Sequence, residues 1–179
     1  MSNPSPKQAY NFCVKCGARV VNKGSAFICA NCGYNFYLPP ALCNGMIIED
    51  DAGRILLVQR ARDPKKGQWD VPGGFVELGE SFDLSVKREA KEELGVEVEM
   101  KDIVGVYHNR YLYQGIREWT MGIIVTAKIV SGELRAGDDA ARFEFIERDE
   151  VLKRRIAFSS VKQALTEYLA GSYFKRVQK

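Results

Sequence analysis

The stretch GGFVELGESFDLSVKREAKEELGV, Gly73 to Val96, constrains this chain more than any other part of it. Apolar residues at Leu84, Val86, Ala90 and Leu94 predict a helix over Asp83–Leu94, with acids on another face and Gly95 as its stop. Glu89, Glu92 and Glu93 stand at i, i+3 and i+4 and therefore share one face. Like charges at that spacing repel by a few tenths of a kcal/mol per pair. A solvated acidic face is one reading. The other is a hard divalent cation such as Mg²⁺, which takes a few carboxylates and completes its shell with water and substrate phosphate.

The segments around this helix read as a mixture of strands and helices without regular βαβ alternation, which predicts an α+β domain with a mixed sheet and helices packed on it. NGMIIED and RILLVQRA, separated by the turn signal DDAG, predict a hairpin. RDPKKGQWDVPGG reads as irregular. VEVEMKDIVGVYHNRYLY, EWTMGIIVTAKIV and RFEFIE are rich in β-branched and aromatic residues and predict strands. SSVKQALTEYLAG predicts a last amphipathic helix, capped by Ser159 or Ser160 and stopped by Gly171.

Ahead of this lie CVKC (Cys13, Cys16) and CANC (Cys29, Cys32), two C-x-x-C knuckles twelve residues apart. Each offers two thiolates to one tetrahedral zinc ion. Gly17 and Gly33 follow the knuckles and permit the tight turns they need. Four protein ligands close the tetrahedron, so the expected Zn²⁺ site is structural, and it supplies folding energy to a segment too short for a core. Cys43 is left over and reads as a small buried apolar residue. The domains expected are residues 1–40, a frayed tail and zinc ribbon ending in the connector YLPP, and residues 41–179.

The 46% hydrophobic and 27% charged shares fit a soluble globular chain, and a net charge of +3 is too mild to imply nucleic acid as a partner. Charges in the ribbon are sparse, with no basic stripe of interleaved aromatics. No apolar run approaches the roughly 18 residues that span a membrane. The N-terminal MSNPSPKQAYNF lacks the regions of a secretory signal, so the expected setting is cytoplasmic.

The whole string Gly74-x₅-Glu80-x₇-Arg88-Glu89-Ala90-Lys91-Glu92-Glu93-Leu94-Gly95-Val96 resembles the box of the Nudix hydrolases at every fixed position, and the resemblance extends over about Ala41 to Ala170. It implies a Mg²⁺ (or Mn²⁺) site built from Glu89, Glu92, Glu93 and the carbonyl of Gly74 or of its neighbour Gly73, with Glu77 in reach of a second metal. It also implies a structural pair of Glu80 with Arg88. Glu92, Glu93 and a base outside the box then serve water attack on a diphosphate. Of Asp138, Asp139 and Glu144, Asp139 is the expected base.

A Cys₄ ribbon ahead of such a domain is similar to two groups. The NADH pyrophosphatases carry a Ser-Gln-Pro-Trp-Pro-Phe-Pro signature that this chain lacks. DDAARFEFIERDEV and IAFSSVKQALTEYL instead resemble the ribbon-bearing ADP-ribose and FAD pyrophosphatases, although Tyr111 and Leu112 stand where ADP-ribose enzymes place a proline. The resemblance thus implies cleavage of a nucleoside diphosphate linked to another moiety, ADP-ribose or FAD, into AMP and a phosphorylated product. The alternatives are NADH cleavage, nucleoside triphosphate sanitation and a non-catalytic regulator. Tyr107, Tyr111, Tyr113 and Trp119 are candidates to stack on a base, or alternatively core residues, and Arg110 and Arg117 are candidates to bind phosphate. His108, the only histidine, is not expected to be a catalyst. A homodimer is expected, and a membrane or nucleic-acid partner is not.

Overall fold

A computed structural model describes residues 5–23, 26–137 and 140–173. The chain forms two compact units. The smaller joins the described residues through Pro40 with Arg110–Trp119, and the larger holds the rest.

The small unit contains one helical turn, α1 (Pro6–Ala9), and an antiparallel sheet of β1 (Val20–Lys23), β2 (Ala26–Cys29) and β3 (Asn35–Tyr37) in that order. The segment expected to be a frayed tail is therefore partly structured: besides α1, Phe12 is bridged antiparallel to Arg19. Phe27 and Phe36 stack at 5.1 Å between ring centres and make most of the apolar interior. So small a core does not hold a domain by itself. Gly17 and Gly33 take φ of +73° and +70°, and their N–H groups return to the carbonyls of Cys13 and Cys29. These are the tight knuckle turns the spacing predicts.

In the large unit β4 (Ala41–Ile48), β5 (Ile55–Arg60), β6 (Trp69–Asp70), α2 (Phe82–Leu94), β7 (Val96–Tyr113), β8 (Ile116–Gly132), β9 (Ala140–Ile146) and α3 (Ser159–Leu169) follow in sequence. The long hairpin of β7 and β8 sends its tip into the small unit. Two three-stranded sheets form, ordered β4-β8-β7 and β6-β5-β9, with β4 parallel to β8 and β5 antiparallel to both its neighbours.

The expected hairpin of β4 with β5 does not form. The turn is there, with Asp50 Oδ1 accepting from the N–H groups of Ala52 and Arg54, but only the bridge Glu49↔Ile55 joins the two strands before they part into different sheets. The reason lies in their continuous apolar runs, which mark strands covered on both faces. Ile47, Ile55 and Leu57 enter a core with Val161, Ala164, Leu165 and Tyr168 of α3. Met46, Ile48, Leu56 and Val58 enter another with Val86, Ala90 and Leu94 of α2. The sheets are thus sandwiched by helices, as expected.

Three local expectations change. β6 lies inside the segment read as irregular. Leu84 is exposed, and the buried row of α2 is Val86, Ala90 and Leu94 with Phe82 packed against it, because position 84 lies about 200° around the helix from position 82. The N-cap of α3 is Phe158, extended and without a side-chain cap, which packs against the core. Gly171 does stop that helix, at φ +68°. Cys43 is half-buried, and burial pushes its thiol up to about 11. Among the described residues no helix is long and apolar enough to cross a membrane.

Candidate active site

Helix α2 presents its acids toward the loop that precedes it. Its buried row holds it on the sheet, and Gly95, in the left-handed region at φ +74°, ends it. Glu89 is nearly buried, and its carboxylate lies against Gly74: a Cβ added there would fall 2.4 Å from Glu89 Oε1. Only a glycine leaves room for this approach. The N–H of Gly73 donates to Glu93 Oε2 at 2.9 Å. Glu92 is exposed on the same face, and Glu77 is exposed on the loop, its N–H donating to Glu80.

The cation among these acids in the structure is Arg88. Its Nε and Nη2 grip the two oxygens of Glu80 at 3.0 and 3.1 Å. Nη1 reaches Glu89 at 2.7 Å and Glu92 at 3.0 Å, and Nη2 also donates to the carbonyl of Phe75. A guanidinium has five N–H donors, and this one uses all five. Arg88 holds the Glu80 carboxyl below the usual carboxylate range, while burial pushes that of Glu89 above it. Glu80, Glu89, Glu92 and Glu93 against one guanidinium leave a local charge of −3. That excess of oxygen donors fits a hard divalent cation. The three helix carboxylates are not yet gathered to ligand spacing. Among the described residues only Cys13, Cys16, Cys29 and Cys32 place three or more metal-binding atoms within 4.8 Å of one another.

Those cysteines fit zinc. Sγ of Cys13 and Cys32 are 3.8 Å apart and Sγ of Cys16 and Cys29 are 3.5 Å apart. Bonds of about 2.3 Å to a tetrahedral centre imply edges of roughly 3.8 Å, whereas a disulfide requires about 2.05 Å. The backbone N–H of Ala18 leads in holding the Cys16 thiol down, to about 6.

The loop after β8 seals the far end of α2. Arg135 N–H donates to the carbonyl of Leu94 and Gly137 N–H to that of Glu93, satisfying carbonyls a helix end leaves open. Asp138 and the expected base Asp139 follow Gly137 directly and lie outside the described residues. Glu144, the other candidate, is paired with Arg154 at 2.9 Å. Its neighbours Phe143 and Phe145 pack on the α2 side, so Glu144 belongs to the opposite face of β9.

Of the expected substrate residues, Tyr107 is buried in the α3 core and its hydroxyl donates to Glu167 at 2.6 Å, so it is a packing residue and not a base-stacker. Arg110 and Trp119 sit together in the small unit, with the guanidinium 5.4 Å from the ring centre. The side chain of Tyr111 lies outside the described set. His108 is exposed on β7. Sequence reasoning missed Asn44. Its backbone N–H donates to the carbonyl of Gly74 and its buried side chain to Ser85 of α2, tying loop to helix. A polar residue inside the apolar run LCNGMII was the available signal.

Residues 40–167 match the protein family described as NUDIX domain, and the chain belongs to it. It is a Nudix hydrolase, an enzyme that hydrolyses the pyrophosphate bond of a nucleoside diphosphate derivative. Over 120 residues it is 40% identical to an ADP-ribose pyrophosphatase of Methanocaldococcus jannaschii, covering 67% of this chain and 69% of that one. It is 33% identical over 96 residues to the NAD-capped RNA hydrolase NudC of Haemophilus influenzae, of whose length it spans 36%. The crystal structure of a NUDIX hydrolase from Nitrosomonas europaea superposes with a TM-score of 0.73 at 27% identity, covering 90% of this chain and 91% of that one.

Proposed function

We propose that the chain cleaves ADP-ribose or FAD between the two phosphorus atoms, giving AMP and a phosphorylated remainder. The observation that carries the chemistry is the cluster of four carboxylates over one arginine at Gly73–Gly74. The likeness to an ADP-ribose pyrophosphatase supports the substrate class.

Glu89, Glu92 and Glu93, with the carbonyl of Gly74 and with Glu77 beside them, would hold Mg²⁺ or Mn²⁺. The Gly74 carbonyl already accepts from Asn44 and has a second lone pair to give. When bound, such an ion lowers the pKa of water and offsets charge on the phosphates. The chain's own part is orientation and proton transfer. The N–H of Gly73 holds Glu93, and Arg88 holds Glu92. Water oxygen bonds to one phosphorus, the bridging P–O bond breaks with its electron pair on the departing phosphate, and a carboxylate takes the water's proton. Asp139, just past the Gly137 anchor, is our candidate base, with Glu92 and Glu93 sharing the site. Zn²⁺ on the four cysteines is structural. A homodimer in the cytoplasm, with residues 1–40 and 41–179 as its domains, completes the proposal.

A panel of ADP-ribose, FAD, NADH, diadenosine polyphosphates and nucleoside triphosphates in Mg²⁺, read by products, tests it. AMP from ADP-ribose or FAD is expected. Pyrophosphate release from a triphosphate points to sanitation, preferred NADH turnover to the NADH group, and no turnover to a binding role. The likeness to an NAD-capped RNA hydrolase adds a nucleotide-capped RNA to the panel.

A further inference from the structure

Charge is divided unevenly between the two compact units. Residues 1–40 hold Lys7, Lys15, Arg19 and Lys23 and no acid, and the hairpin tip adds Arg110 and Arg117 against Glu118. The small unit therefore carries +5. The remainder takes 20 of the 26 basic and 22 of the 23 acidic residues and carries −2. Four thiolates about a divalent ion would add −2 and still leave the small unit at about +3.

Apart from Phe27 and Phe36, several of its aromatics are exposed, and cations lie over three of the rings. Arg19 lies 5.5 Å from the centre of Phe12, Lys15 6.0 Å from Tyr34, and Arg110 5.4 Å from Trp119. Phe12 is 58% exposed, Trp119 45% and Tyr37 62%. Tyr37 pairs in register with Ala26, on the face of the sheet opposite Phe27 and Phe36. The interior is filled by that stacked pair, on which Tyr34 also stacks with its ring centre 6.0 Å from that of Phe36, so the outward-facing rings are Phe12, Tyr37 and Trp119.

Ring faces and cations together, with acids almost excluded, suit a flexible polyanion that carries flat rings of its own. An acidic protein would answer the charge but not the rings. The same surface of a second copy would meet like charge. We propose that the ribbon and the hairpin tip form a stacking surface for a single-stranded polynucleotide. Along the sequence the ribbon's cations are sparse; the fold sets Arg19 over Phe12 and Lys15 over Tyr34 and adds the Arg110–Trp119 pair from some seventy residues further on. Ring faces and phosphate charge are common to RNA and DNA, and neither contact reads the 2′-hydroxyl.

The test is fluorescence anisotropy of the full chain, purified with zinc, against labelled pyrimidine 12-mers of RNA and of DNA and against a duplex of the same length. Both single strands bind alike, and the duplex binds at least about tenfold more weakly because its bases are already stacked. Three cations on phosphates give a log–log salt slope near −2, and Arg19→Gln lowers its size by about 0.7. Phe12→Ala weakens binding roughly five- to hundredfold, with zinc content and small-substrate turnover unchanged. Tyr37→Ala serves if Phe12→Ala loses zinc. The proposal is overturned by duplex binding as tight as single-strand binding, by equal displacement with a polyglutamate of the same charge, by no signal at about 100 μM protein, or by zinc-loaded variants that bind like the wild type. Sedimentation showing that the wild type self-associates through these residues, and that Phe12→Ala abolishes it, overturns it as well.

Discussion

At the residue scale the site is organised by how few groups satisfy many. Arg88 spends every donor on three carboxylates and one carbonyl, and Glu93 accepts from the backbone N–H of Gly73. Glu93→Gln keeps that acceptor but removes the charge. Turnover is expected to fall by orders of magnitude with the melting temperature nearly unchanged, and a wild-type rate would refute the metal role. Asp70 supplies a second prediction. It is buried beside Arg60, whose Nη1 is 3.2 Å away, and burial, only partly opposed by that guanidinium, pushes its carboxyl up to about 6 from 3.8. The folded chain thus binds the proton more tightly than the unfolded one. The stabilisation is complete below about 3.8 and is lost as pH rises through about 6. Asp70→Asn should flatten the melting-temperature profile between pH 4 and 7 relative to wild type, as read by calorimetry. Parallel profiles would mean that Asp70 does not titrate there.

At the scale of elements, much was legible. The 3.6-residue spacing and Gly95 located α2 to within one residue, and the β-branched runs located β7 and β8. What failed was pairing. DDAG does turn the chain, but MII and ILLV carry no polar alternation, so each strand took neighbours that let both its faces be covered. Leu84 was misplaced because three matching positions absorbed a fourth that lies on the opposite side of the helix. The loop sealing α2 had no sequence signal. Its contact is tight: a Cβ on Gly137 would lie 2.0 Å from the carbonyl oxygen of Glu92. Gly137→Ala must lift the loop from the helix end. We expect a loss of about 1–3 kcal/mol and at least tenfold slower turnover, checked by denaturant melts and steady-state rates. An unchanged rate would separate the following aspartates from catalysis.

At the scale of the whole molecule, two units are stabilised differently. The large one has two apolar cores on either side of its sheets. The small one has a stacked pair of rings and four thiols at tetrahedral spacing. Cys16→Ser, or a strong chelator, should therefore release zinc and melt the small unit, visible by metal analysis and by loss of hydrogen-exchange protection over β1–β3. The cores of the large unit should persist. A chain that holds no zinc and melts unchanged would dispose of the ribbon.

The sequence by itself determined the chemistry-bearing groups, because metal-ligand spacing and the i, i+3, i+4 rule act over a few residues and need no tertiary partner. Only the tertiary structure decided which strands pair, that Tyr107 is core and Arg110 and Trp119 belong to the small unit, and that Arg88, expected to pair with Glu80, also reaches Glu89 and Glu92. Those outcomes depend on which surfaces are buried together by segments far apart in the chain, and local patterning carries no record of that.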